Sequence, residues 1–394
     1  MNEVAEFLWN KPSNGSCAEL GFNPSYANVD MEKAKVAFNH LFTESVFCSL
    51  DTNALIGACL SGGLDSSSIV CTASNLGRKL ITFSCVPEQA NIGELSYINE
   101  VVNKYGLVNY TVTPTFEEFF RDFGDLVAIQ ENPFLGPSIY MQYRTFKLAS
   151  EYGIKVLLDG QGGDESLGGY TKYIVDYLLD LLRDRRFAKG FAEFFRTMDL
   201  TKPYFTQYLR LKLGLTKNEF NKILKCKTPA NQSVPYRGLA EHMHYDMFAG
   251  SLVSVCKTGN ANAKAFGLKI KYPFMYPPLV EYLFSLPNTA KIRSGWTKYL
   301  LREAMKGTLP EKVRLRRSKF GFPAPELEWA TRLIEEKMDW CSETVKNVDE
   351  YIDFDGFRNL CRQITRKKRH EDIRLFWRIL IFSRWMKDRA RNLT

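Results

Sequence analysis

Leu60-Ser61-Gly62-Gly63-Leu64-Asp65-Ser66-Ser67 stands where a short apolar run, Leu55 to Leu60, gives way to an apolar-periodic stretch from about Ser66 to Asn75. The first run reads as a strand and the second as a helix. Two adjacent glycines between them let the backbone approach a ligand closely. The free N–H groups of such a turn and helix start form an anion nest, and Ser61, Ser66 and Ser67 add hydroxyl donors around it. The chain contains no GxxxxGK[ST], so this is not a Walker-type loop.

Outward from that turn the pattern repeats. A second strand is expected over Leu80 to Val86, a third near Val108 to Val112, and a fourth over Ile154 to Leu158. Between them, Ile98, Val101, Val102 and Tyr105 recur at helical spacing, and a further helix is expected over about Ser138 to Glu151. Short strands alternating with helices predict an α/β fold with a doubly wound parallel sheet. From about Tyr170 the strand patterns stop and aromatic, Leu-rich helical patterns take over, predicting a helical C-terminal portion. The expected division is a loosely structured leader over 1–34, an α/β core over 35–170 and the helical portion over 171–394.

The fourth strand runs into Asp159-Gly160-Gln161-Gly162-Gly163-Asp164-Glu165-Ser166-Leu167-Gly168-Gly169-Tyr170. Five glycines in ten residues exceed what a structural turn needs, and ligands bind beyond the carboxyl ends of parallel strands. Composition excludes other classes. At 394 residues and 45% hydrophobic the chain is too apolar for disorder. No run of about 18 uncharged apolar residues could span a bilayer. Nine scattered cysteines without CxxC pairs read as reduced thiols in a cytoplasmic protein. The net charge of +9 is regional: residues 291–394 hold 25 Lys+Arg against 15 Asp+Glu.

Together the two loops resemble the C-terminal synthetase domain of asparagine synthetases and their relatives, including β-lactam synthetases and lasso-peptide cyclases. The resemblance continues through Pro273-Phe274, Leu279-Val280-Glu281, the stretch Lys291 to Met305 and Ser318-Lys319-Phe320-Gly321-Phe322-Pro323. It implies an adenine nucleotide α-hydrolase-like (PP-loop, ATP-pyrophosphatase) fold and an ATP-dependent, AMP-forming amide ligase. Such an enzyme adenylates a carboxylate, releases pyrophosphate and transfers the acyl group to ammonia or an amine. The resemblance assigns Ser61, Gly62, Gly63, Ser66 and Ser67 to the pyrophosphate loop of an ATP site. Leu60, Phe83 and Cys85 would hold adenine, with Gly160 on the ribose side. Asp65 and Asp164 match metal-binding acids for Mg2+, and Lys319 matches a lysine on the phosphates and transition state.

Gln161 stands where asparagine synthetases usually carry an acid and lactam-forming relatives can carry tyrosine. An amide positions a nitrogen or carboxylate but accepts no proton near neutral pH, so deprotonation of the amine falls to Glu165, another acid or solvent. Further departures follow: Asn260 and Ala261 replace an Asp-Arg pair, Lys269 a glutamate and Tyr276 an aspartate. They point to an acid other than, or not certainly, aspartate. The synthetase loop begins by residue 61, so no glutaminase domain is expected within the chain. The nitrogen would be free ammonia, ammonia from a separate glutaminase, or an amine such as that of a peptide substrate. An ammonia-dependent asparagine synthetase, a lactam or lasso-type cyclase, a PP-loop tRNA-modifying enzyme and a non-catalytic subunit are the alternatives. Membrane partners are not expected. Nucleic acid is disfavoured, although Arg366-Lys367-Lys368-Arg369 would be the RNA surface of a tRNA-modifying enzyme.

Overall fold

The computed structural model describes residues 30–50, 53–88, 92–212, 223, 225, 238–317 and 324–392. Strands β1 (Ile56–Cys59), β2 (Ile81–Cys85), β3 (Asn109–Val112), β4 (Val156–Leu158) and β5 (Lys269–Lys271) form one sheet in the order β3-β2-β1-β4-β5. Every pairing is parallel, with Gly57 of β1 opposite Ile81 on one side and Leu157 on the other. The α/β doubly wound sheet and the helical C-terminal part expected from the sequence are both present. In this order the winding reverses between β1 and β4. The loops leaving those two strands therefore face each other across the crevice where open α/β sheets bind ligands.

One expectation needs correction. The strand patterns were read as ending near Tyr170, yet β5 enters the sheet from the later part of the chain and pairs with β4. Lys269-Ile270-Lys271 offers one apolar residue between two lysines, too little alternation to mark a strand. Lysines on an edge strand also discourage pairing with another chain.

The sheet is enclosed by helices whose apolar faces the sequence encodes. The helix Met31–Leu50 buries Phe38, Phe42 and Val46, and the Phe42 ring lies 4.8 Å from that of Phe274 just after β5. The Ser45 hydroxyl donates to the Pro273 carbonyl at 2.5 Å and ties that helix to the same segment. On the other side, the helix Phe116–Ala128 starts with a capping box. Thr115 Oγ1 accepts from the Glu118 N–H, and the Glu118 carboxylate accepts from the Thr115 N–H. Its Phe119 stacks on Trp329 at 4.5 Å and meets Trp377 edge-on at 5.6 Å, locking the C-terminal helices to the core. The basic run ends the helix Phe354–Lys367, where cations complement the helix C-terminus, and Arg369 pairs with Asp372 at 2.9 Å. No helix among the described residues is long and apolar enough to cross a membrane, and the seven described cysteines are free thiols.

Candidate active site

The first loop is held by its own serines. The Ser61 N–H donates to Ser66 Oγ at 3.2 Å, the two hydroxyls lie 3.1 Å apart, and the Gly63 N–H reaches Ser61 Oγ at 3.4 Å. The helix Leu64–Asn75 starts at Gly63, so Asp65 occupies its first turn, where a negative charge complements the helix N-terminus. Ser66 and Ser67 are buried behind the turn.

The second loop turns through Gly160 and Gly162 into the short helix Gly163–Leu167, bringing Asp164 towards Asp65. The two carboxylates meet on one cation that the sequence reading had not singled out. Lys298 Nζ lies 2.6 and 2.5 Å from the Asp65 oxygens and 2.7 Å from Asp164 Oδ1. Lys298 is 5% exposed. Burial alone would lower its pKa, but Asp164 and Asp65 outweigh that and raise it above the ordinary lysine value. Gly169 permits the arrangement: a Cβ there would fall on Asp164 Oδ1 and Lys298 Cε. Lys298 also sits at φ 52°, a left-handed conformation costing a non-glycine residue about 1–2 kcal/mol, which its ion pairs offset. The sequence did carry a signal, since Lys298 lies inside the Lys291–Met305 stretch of family resemblance. Nothing in its spacing announced two acidic partners more than a hundred residues away.

Two arginines complete the basic side. Arg316 is buried against the phosphate loop, donates from Nη1 to the Gly62 carbonyl at 3.2 Å, and stacks its guanidinium 4.1 Å from the Tyr97 ring centre. Arg302 anchors the segment carrying it: Nε donates to the Thr297 carbonyl at 2.8 Å, Nη2 to the Arg316 carbonyl at 2.9 Å, and Nη1 to the Arg314 carbonyl. Burial lowers the Arg302 pKa to about 10, still charged at neutral pH. Lys319 lies outside the described residues.

The remaining sequence-predicted residues divide. The Leu60 N–H donates to the Phe83 carbonyl at 2.8 Å and the Leu60 carbonyl accepts from Ser84 Oγ at 2.6 Å, so these groups already join β1 to β2. A purine bound there would use the second lone pairs of those carbonyls. The Phe83 and Cys85 side chains are buried, Cys85 donating to the Met141 sulfur at 3.5 Å. Gly160 approaches Asp65 and the Ser66 N–H closely. Gln161 is half-buried at the turn. Glu165 is buried, and its Oε1 accepts from the Tyr170 hydroxyl at 2.7 Å.

The sequence reading also passed over Asp159. Its carboxylate is 4% exposed, faces the N–H groups of Gly160 and Gln161, and accepts from Gln142 Nε2 at 3.3 Å. Burial pushes its pKa up to about 6 against the pull of those hydrogen bonds. Asn262, next to Asn260 and Ala261 on the helix Ser251–Ala265, donates to Gln142 Oε1 at 3.2 Å, and Lys269 lies on β5 beside β4.

The geometry fits a hard divalent cation. Two carboxylates from separate loops already converge on the Lys298 ammonium, and Mg2+ is typically bound by one or two carboxylates plus substrate phosphates. No cluster of three or more His, Cys, Asp or Glu side chains occurs among the described residues, so a dedicated all-protein metal cage is absent there.

The chain is 26% identical, over 405 aligned positions, to "Asparagine synthetase [glutamine-hydrolyzing] 1" of Bacillus subtilis (strain 168), covering 95% of this chain and 63% of that protein. It is 26% identical to "Putative asparagine synthetase [glutamine-hydrolyzing]" of Mycobacterium tuberculosis (strain ATCC 25618 / H37Rv), covering 87% of this chain and 56% of that one. The chain thus spans less than two thirds of the length of either relative. Among solved structures, NMN synthetase from Francisella tularensis aligns with a TM-score of 0.25 at 13% identity, over 36% of this chain and 60% of that one. The family model described as asparagine synthase matches residues 37–387, nearly the whole chain, and the chain belongs to the asparagine synthase family.

Proposed function

We propose that this chain carries the synthetase chemistry of an ATP-dependent, AMP-forming carbon–nitrogen ligase. In the first step a substrate carboxylate attacks the α-phosphorus of ATP, the bond to the α–β bridging oxygen breaks, and pyrophosphate leaves with the electron pair. In the second, ammonia or an amine attacks the acyl carbon, AMP leaves, and the nitrogen loses a proton. The observation carrying this reading is the meeting of Asp65 and Asp164, one from each loop, on the ammonium of Lys298.

The N–H groups of the Ser61–Ser67 turn bind and orient the departing phosphates. Arg316, fixed against Gly62, contributes positive charge on the same side, and Lys319 follows three residues later. Mg2+, when bound, would supply neutralisation of triphosphate charge, with Asp65 and Asp164 as the residues to hold it. Gly160 and the Leu60–Phe83 edge frame the nucleoside.

On the acceptor side, Gln161 orients the incoming group but takes no proton. Two acids flank this turn to receive the proton: Glu165, which accepts from the Tyr170 hydroxyl, and Asp159, which accepts from Gln142 and whose pKa burial pushes up to about 6. The replaced residues at Asn260, Ala261, Lys269 and Tyr276 support an acid other than, or not certainly, aspartate. The test is incubation with ATP, magnesium and a panel of acids and amines, scoring AMP release by mass spectrometry. No AMP release with any acid–amine pair of the panel would sink the ligase reading. AMP formed only with aspartate and ammonia would overturn the emphasis on the departures.

A further inference from the structure

Lys298 reaches its two acids from a four-residue turn with unusual support. Arg293 and Trp296 pair across it through two backbone hydrogen bonds of 3.1 and 2.9 Å. The central residues, Ser294 and Gly295, both have positive φ, at 53° and 77°. Their N–H groups consequently point the same way, and both donate to one carboxylate: Ser294 to Glu193 Oε1 at 2.8 Å and Gly295 to Glu193 Oε2 at 2.7 Å. Glu193 belongs to the helix Phe187–Lys212, far in sequence from either loop, and is 3% exposed. The turn is pressed onto that helix: a Cβ on Gly295 would lie 2.9 Å from the Arg196 Cβ.

Beyond the clamp the chain delivers three site groups in succession. Trp296 offers its ring to the guanidinium groups of Arg317 at 4.6 Å and Arg302 at 5.0 Å. The Thr297 carbonyl accepts from Arg302, and Lys298 enters the gap between Asp65 and Asp164. A buried carboxylate binding two successive N–H groups makes charge-assisted bonds about twice as strong as neutral ones, and fixes the direction in which the chain leaves the turn.

We propose that Glu193 is a positioning residue for the reaction: through the Ser294–Gly295 turn it holds Lys298 between the two loop acids. This rests on the ligase reading for its catalytic consequence, but the structural link can be measured without turnover.

The test uses the full chain with Glu193→Gln, whose amide retains one acceptor and turns an NH2 group towards the other N–H. In nucleotide-free protein, reductive methylation followed by peptide mass spectrometry compares labelling rates at Lys298 and at Lys291, a buried lysine held by the Leu286 carbonyl at 2.6 Å. Loss of a hydrogen bond to a charged group predicts about tenfold or more faster labelling at Lys298 with Lys291 unchanged. An equal rise at both lysines means general loosening, and an unchanged Lys298 means no positioning; either overturns the proposal. With an acid the wild type accepts, ATP–pyrophosphate exchange at saturating ATP should fall about tenfold or more in Glu193→Gln while KM for ATP stays within about threefold. In a Lys298→Met background the same substitution should add almost nothing, because both act through one group. Fully additive losses would refute the link. A wild type that exchanges with no acid fails the ligase reading instead, and the labelling result alone then decides the role of Glu193.

Discussion

Replacing Asp159 by Asn should stabilise the protein at neutral pH, by an amount that depends on pH in a calculable way. Asp159 ends a chain of buried amides: Gln130 Nε2 donates to Asn262 Oδ1 at 2.8 Å, Asn262 Nδ2 to Gln142 Oε1 at 3.2 Å, and Gln142 Nε2 to Asp159 Oδ2 at 3.3 Å. Burial raises the pKa of its carboxyl from the ordinary 3.8 to about 6. The neutral acid is therefore favoured in the folded state. Its contribution is present in full below the unfolded pKa and is lost as pH rises through the folded one. At 1.36 kcal/mol for each tenfold change, the ionised group costs about 3 kcal/mol at pH 7.5 and about 1 kcal/mol at pH 4.5. Asparagine stays neutral throughout, and it can be accommodated if the three amides reverse so that its NH2 donates to Gln142. Urea denaturation of both proteins at the two pH values should give a gain in Asp159→Asn larger by about 2 kcal/mol at pH 7.5 than at pH 4.5. An equal gain at both, or a loss that grows with pH, would refute the burial argument.

Other perturbations test the phosphate side. Asp65→Asn, and separately Lys319→Ala, should abolish ATP–pyrophosphate exchange in the presence of the accepted acid; exchange retained by both variants would overturn their assignment. Lys298→Met removes the ammonium between Asp65 and Asp164, and breaking such a buried pair costs about 3–5 kcal/mol at neutral pH. A melting curve of that variant should therefore rise more steeply with added Mg2+ than the wild type's, and identical Mg2+ responses would contradict a shared cation seat. Gly169→Ala forces a methyl onto the Asp164 carboxylate and the Lys298 stem. It should lower thermal stability and exchange together, whereas Gly307→Ala, at a position with open space around it, should not affect exchange.

The phosphate half of the site was legible because it is local. Ser61 to Ser67 form their own hydrogen bonds within one turn, so the glycines and serines that shape the loop are adjacent in the chain. The helix Ser138–Glu151 was equally readable, its bounds following from the apolar spacing and the turn signals around it. Strand β5 was not, because an edge strand of three residues is specified by its neighbour β4 and not by its own pattern. Lys298 and Glu193 escaped for a related reason: each acts across more than a hundred residues of sequence, through a turn whose positive-φ residues include a serine that gives no compositional warning. In the sequence Asp159 is one more polar residue after the fourth strand, and only its burial among amides reveals a carboxyl whose pKa is pushed up to about 6.

The four departures fall within one stretch of the chain, Asn260 to Tyr276. Asp65, Asp164, Lys298, Arg302 and Arg316 interlock around the first loop, and each is fixed by at least one other residue of that set or by the loop backbone. A change at Lys298, Asp65 or Asp164 would disturb a buried ion pair, and a change at Arg302 or Arg316 would strip hydrogen bonds from backbone carbonyls, so this half tolerates little variation. Of the departures, Tyr276 follows β5 and packs towards Glu44 of the helix Met31–Leu50, whereas Asn260 and Ala261 lie on the Ser251–Ala265 helix and Lys269 on β5, beyond β4 from the first loop. That side touches the first half through Asp159 and the Gly160–Gln161 turn, where neutral amides from Gln130, Gln142 and Asn262 support the acid. Neutral amides in place of ion pairs can be rearranged without stranding a charge. On the proposed ligase reading, substitutions exchanging Asn260 or Lys269 for acids should alter which carboxylate supports AMP release while leaving ATP binding unchanged. If such variants lost ATP binding instead, the separation of the two halves would be wrong.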